Sequence, residues 1–237
     1  MIIQTMNDQE KFYEAFRVVN KAKAIFDDVK DDVIERFHRG TRFPYYNRYA
    51  FEDNGNNWRI VFLCKSKEHK RKGLYYTFCY TTYIIEKPKK DINCGRGILW
   101  FDPVGITKYI QNPDSQNTGF GLICDITPHA FNRYKERFLK PKGLEIDFDK
   151  TVENMLCRWK WFDIIGDKSS RKYTQDVVSS YDVFMQGGGM LRGQILDGMS
   201  MRFFTYVSED MYYSNQLQRQ KDMFREYHRL KHEGVKI

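Results

Sequence analysis

Asp125-Ile126-Thr127-Pro128-His129-Ala130-Phe131-Asn132-Arg133-Tyr134-Lys135-Glu136-Arg137-Phe138 carries the densest chemical pattern in the chain. Thr127 is a good helix N-cap. Pro128 suits the first helical position, where its missing N–H has no intrahelical partner to lose. A helix is therefore expected to start there. Phe131, Tyr134 and Phe138 recur at helical spacing and can pack on a core. His129, Arg133 and Arg137 recur every four residues and share another face. Gly121 to Ile126 reads as a strand, so the stretch is a strand feeding a two-faced helix.

The chemistry of the polar face is anion chemistry. Two guanidiniums can grip phosphate oxygens through paired hydrogen bonds. His129 falls in the first turn, where the positive end of the helix dipole disfavours protonation. A neutral imidazole beside phosphate can serve as a general base, which points to RNA cleavage by attack of a 2′-hydroxyl without a metal. The plain alternative is a solvated charged face with a histidine that satisfies a neighbour.

Composition sets the limits around this stretch. The 237 residues suffice for one sizeable domain or two small ones. A hydrophobic share of 41% beside 30% charged residues is that of a soluble globular chain. Lysine and arginine number 39 against 31 acids, and the net charge of +8 favours a polyanionic partner. Cys64, Cys79, Cys94, Cys124 and Cys157 are scattered and odd in number, with no C-x-x-C spacing. No zinc site, metal, cofactor or disulfide framework is read from them, and free thiols fit a reducing cytoplasm. The start lacks the regions of a signal peptide, and no apolar run reaches the length of a membrane span. A cytoplasmic protein is expected.

Upstream, Asp8 to Arg39 reads as helical, with Phe12, Phe16, Val19, Ile25, Phe26, Val29, Val33 and Phe37 at threes and fours. Asn7 or Asp8 would cap it, Gly40 would end it, and a break near Ala22 to Ala24 would make it two helices. Thr41 to Asn57 reads as a polar, aromatic loop ending in the turn Asp53-Asn54-Gly55-Asn56-Asn57. Its tyrosines and arginines can stack bases, or the tyrosines can pack on a sheet. Trp58 to Cys64 and Leu74 to Ile85 read as strands of a hairpin with a cationic tip. Lys87-Pro88-Lys89-Lys90 is a basic loop, Gly97 to Phe101 a strand, Val104 to Ile110 a short helix and Gln111 to Gly119 a loop.

Downstream, Asp147 or Asp149 caps a helix from Phe148 to Trp161, after which Lys168 to Lys172 is polar and basic. Three strands follow, at about Asp176 to Met185, Met190 to Leu196 and Met201 to Val207. Gly187-Gly188-Gly189 and Asp197-Gly198 are their turns. Ser208 to Asp210 caps a closing basic helix that runs to about His232 and ends at Gly234. His228 and His232 stand four apart without an apparent third metal ligand.

The run Thr127 to Arg137, with a second helix and a meander behind it, resembles the helix of BrnT-like proteins, small RelE-like ribonuclease toxins. The likeness covers about Asp125 to Ser208, and the first 120 or so residues have no counterpart in it. The resemblance implies metal-independent RNA cleavage and a possible inhibitor partner. It makes His129 the base, Arg133 and Arg137 the phosphate grips and Tyr206 an auxiliary. Lys140, Arg192 and Arg202 become the candidate nucleic-acid contacts.

The expected fold is α+β, mostly antiparallel sheet with helices at both ends and a basic amphipathic helix in the middle. A soft boundary near Gly119 divides 1–120 from 121–237, with one continuous domain as the alternative. Two functions stay open: an RNA-directed nuclease, or a noncatalytic binding or inhibitory protein of mobile-element or phage type that docks nucleic acid or an acidic protein on its basic surface.

Overall fold

A computed structural model of the chain describes residues 2, 5–71, 73, 75–85, 95–101, 123–165, 180–185, 187–197 and 200–232. The fold is α+β, with a helix at each end and antiparallel pairing wherever register is defined. The chain forms two compact units: Met1–Pro128 with Leu196–Arg202, and His129–Ile195 with Phe203–Ile237. The boundary expected near Gly119 lies outside the described residues, as do the basic loop 87–90, the segments 104–119 and 168–172, and Gly234.

The first unit is built on α1, Asp8–Arg39. Asn7 and Glu10 close a reciprocal capping box, each side chain accepting from the other's backbone N–H at 2.9 and 2.7 Å. Gly40 ends the helix, its N–H donating to the carbonyls of Arg36 and Phe37. The break considered near Ala22 is absent. Ala22 is fully buried and belongs to an inward stripe with Phe12, Ala15, Val18, Phe26, Val33 and Phe37. A strong helix former at a packed position has no reason to interrupt the helix.

Beneath α1 the strands run in the order β1 (Tyr45–Asp53), β2 (Asn56–Cys64), β3 (Tyr76–Ile85), β4 (Gly95–Phe101) and β5 (Ile123–Ile126). The expected aromatic loop is therefore largely a strand. Tyr45, Tyr49 and Phe51 alternate inward and pack on the α1 core, which is the period of a half-buried strand. Asp53 pairs with Asn56, so the turn is the two residues Asn54 and Gly55, at φ 46 and 68. Asn-Gly with both φ positive is the hairpin turn whose twist matches its strands. Trp58, Ile60, Phe62 and Cys64 point from β2 into the same core, where Phe26 stacks on Phe62 at 5.7 Å. A short α2, Lys67–Arg71, sits at the tip between β2 and β3.

In the second unit α3, Pro128–Tyr134, passes into a single π turn, Lys135–Leu139, and a 3₁₀ turn, Lys140–Lys142. Gly143 at φ 65 ends the run, and the Leu144 N–H reaches back to the Leu139 carbonyl. α4, Phe148–Cys157, is capped by Asp147, which accepts from the Lys150 N–H at 2.8 Å. It stops four residues short of the expected Trp161. Trp159–Ile165 is strand β6 instead, because its run of Trp, Phe and Ile is strand-forming. β7 (Ser180–Met185), β8 (Met190–Asp197) and β9 (Ser200–Val207) follow in the order β6-β7-β8-β9, with the hairpin end Leu196–Arg202 counted in the first unit, so the expected three-stranded meander has four strands. The closing helix is split into a 3₁₀ turn, Glu209–Met211, and α5, Ser214–His232. Among the described residues no helix is long and apolar enough to cross a membrane.

Candidate nucleic-acid interface

The helix after β5 starts at Pro128, and its faces divide by burial. Ala130, Phe131, Tyr134 and Phe138 are buried, while His129, Arg133 and Arg137 are half-buried. Phe131 packs on Phe148 at 4.7 Å. Tyr134 stacks on Phe138 at 5.3 Å and meets the edge of Tyr206 at 5.2 Å. This apolar side fixes the direction in which the polar row looks.

Partial burial holds the His129 imidazole below its ordinary value, and the charges of Arg133 and Arg137 push the same way against Glu136. The helix dipole is not needed for this effect. Desolvation disfavours the cation, and two guanidiniums within electrostatic range disfavour it further. The row is thus one coupled group, with a neutral imidazole at its head.

Its two arginines are held differently. Arg133 donates to the Glu136 carboxylate at 2.8 Å, where 39% of its own side chain and 57% of the glutamate's remain open to water. Such a pair exchanges readily for another anion, because exposed ion pairs contribute little. Arg137 lies on the π turn and donates to the Tyr206 backbone carbonyl at 2.8 Å. That bond ties the helix to β9 and holds the guanidinium against the unit.

Tyr206 is not placed to assist at a solvent-facing site. It is 1% exposed, its hydroxyl donates to the Gly188 carbonyl at 3.1 Å, and burial pushes its phenol up. Gly189, at φ 85, makes the room, since a Cβ there would stand 2.0 Å from that hydroxyl. Lys140 is exposed at the start of the 3₁₀ turn.

Arg192 and Arg202, expected as nucleic-acid contacts, are engaged by acids. Arg192 forms a fork on the fully buried Asp182 through Nε and one terminal nitrogen, both at 2.9 Å. Arg219 of α5 reaches the same carboxylate at 2.8 Å. Within the first unit, Arg202 bridges Asp125 at 2.9 Å and Asp8 at 2.7 Å, and the Tyr83 hydroxyl also donates to Asp125. Burying a carboxylate costs far more than a guanidinium partner can be spared from, so these arginines follow their acids.

Sequence reasoning missed Arg158. It is buried, lies over the Phe138 ring at 3.2 Å, and donates to the Tyr134 hydroxyl at 3.1 Å and the Gly188 carbonyl at 2.5 Å. It follows a helix end directly, and no pattern announces it. The acids Asp125 and Asp182 carried a weak signal, each being a lone carboxylate inside an apolar strand. Among the described residues no group of three or more His, Cys, Asp or Glu stands close enough to share a metal ion. Compared with protein-family models, characterised proteins and solved structures, the chain matches none.

Proposed function

We propose that the protein binds RNA through its basic surface, with Arg133 as a phosphate contact on the helix that follows β5. The observation that carries the reading is the contrast in how the arginines are held. Arg133 faces an exposed glutamate that phosphate can displace, whereas Arg192 and Arg202 are engaged by buried carboxylates. A net charge of +8 supports a polyanionic partner, and Arg48 over Tyr46 and Lys65 over Tyr76 put cations beside rings that bases can stack on.

A second reading is metal-independent cleavage of the RelE-like kind, favoured by the neutral His129 beside Arg133 and Arg137. It requires a proton donor for the leaving oxygen, and the buried Tyr206 hydroxyl is a poor one. Labelled single-stranded RNA incubated in EDTA with wild type, His129→Ala and Arg133→Ala separates the two. RNA that is retained intact, and retained less by Arg133→Ala, supports binding. RNA that is cut by wild type and spared by both folded variants replaces it with cleavage. RNA neither bound nor cut removes both.

A further inference from the structure

The C-terminal end of α1 forms a cleft of about 350 Å³ lined by Arg36, Arg39, Gly40, Thr41, Arg42 and Tyr45. We infer that this cleft is a second RNA site, which seats a backbone phosphate among its three guanidiniums and a base against the Tyr45 ring. The inference rests on the RNA-binding reading above but names a surface outside the helix row.

The end of a helix ordinarily repels anions, because its last carbonyls carry partial negative charge. Here Lys70 of α2 donates to the carbonyls of His38 at 2.6 Å and Gly40 at 2.8 Å, placing a cation on that end. Arg36 and Arg39 pair with Asp32 and Glu35 one turn back on the same helix, and all four side chains are exposed. Such pairs are weak and open to exchange. Arg42 is exposed and makes no ion pair among the described residues. The cleft lining thus holds three guanidiniums and no carboxylate, while Asp32 and Glu35 pair with Arg36 and Arg39 from one turn back.

Guanidiniums match phosphate oxygens through two parallel bonds, which a lysine patch does not do. The aromatic wall distinguishes the cleft from a plain charge patch. Tyr45 stands edge-on to Phe37 with centroids 5.4 Å apart, so its ring is fixed before any ligand arrives. Gly40 allows this, since a Cβ there would lie 2.8 Å from the Tyr45 ring. A held ring beside phosphate grips is the combination that binds a single strand without reading its sequence.

The test is fluorescence anisotropy of a short labelled single-stranded RNA over a salt series. It compares wild type, Arg39→Gln/Arg42→Gln, Tyr45→Leu, Arg133→Gln, and a control of equal charge loss on α5, Lys221→Gln/Arg225→Gln. For two lost phosphate contacts the slope of log K against log salt flattens by about 1.4, at about 0.7 per contact on a single strand. Tyr45→Leu is expected to weaken binding with the slope unchanged, and the α5 control to leave the slope as in wild type. If Arg133→Gln weakens binding while the cleft variants match wild type, the cleft inference falls and the helix-row reading stands. An equal loss in the α5 control, or displacement of RNA by polyglutamate as readily as by unlabelled RNA, also overturns the cleft. Wild type that does not bind RNA removes both readings.

Discussion

Arg202 and Arg133 are both arginines on regular elements of a basic chain, and the sequence offers no way to rank them. Arg202 is held by Asp8 and by Asp125, which is 2% exposed; Arg133 is held by Glu136, which is in water. The difference lies in the partner. A carboxylate taken out of water requires its counter-charge, so the arginine opposite becomes part of the fold. One left in water releases its arginine to whatever anion arrives.

The strongest way to break this comparison is at Asp182, which holds both Arg192 and Arg219. Asp182→Ala leaves two guanidiniums without their shared carboxylate and is expected to cost about 3–5 kcal/mol in urea unfolding. A cost under about 1 kcal/mol would place these arginines with Arg133. Gly189→Ala comes next. Its Cβ would collide with the Tyr206 hydroxyl at a backbone angle that disfavours side chains, so a loss of about 3 kcal/mol is expected in thermal or urea unfolding. Tyr206→Phe removes the buried hydroxyl that bonds the Gly188 carbonyl and lies beside Arg158, and should cost about 1 kcal/mol. The same variant should hold RNA as wild type does; loss of RNA binding or cleavage in the folded variant would restore Tyr206 to the site.

These differences also show what was legible in the sequence. Alternation and helical spacing carried α1, β2, β3, α3 and the strands around the triple glycine, because each buries one face and repeats its apolar residues accordingly. The failures were local. Tyr45 to Asp53 looked like a loop because its outward positions, such as Arg48 and Glu52, are polar; the Asn-Gly that follows was the better guide. Trp159 and Trp161 looked like a continuation of α4 because aromatics suit either element, and the helix end at Cys157 has no glycine to mark it. For the site, the helix row was legible as one face. Which arginines were already held was not, since Arg202 meets Asp8 across 194 positions of sequence.

The smaller effects sharpen the comparison on its exposed side. His129 sits below its ordinary value, so the unfolded chain binds the proton more readily than the fold does. Its neutral form contributes stability that is present above about pH 6.5 and lost as the pH falls from there toward the lowered folded value. Thermal unfolding at about pH 8 and about pH 5 should show wild type losing more Tm on acidification than His129→Gln. An identical loss in both would mean that the imidazole is not held neutral.

The most direct test sets Arg202→Gln beside Arg133→Gln, with urea unfolding and RNA affinity measured on the same samples. Arg202→Gln is expected to lose about 3 kcal/mol while its folded fraction binds RNA as wild type does. Arg133→Gln is expected to stay within about 0.5 kcal/mol of wild type and to bind RNA more weakly. Arg202→Gln stable but deficient on RNA, with Arg133→Gln unstable but unimpaired, would reverse the roles of the two arginines.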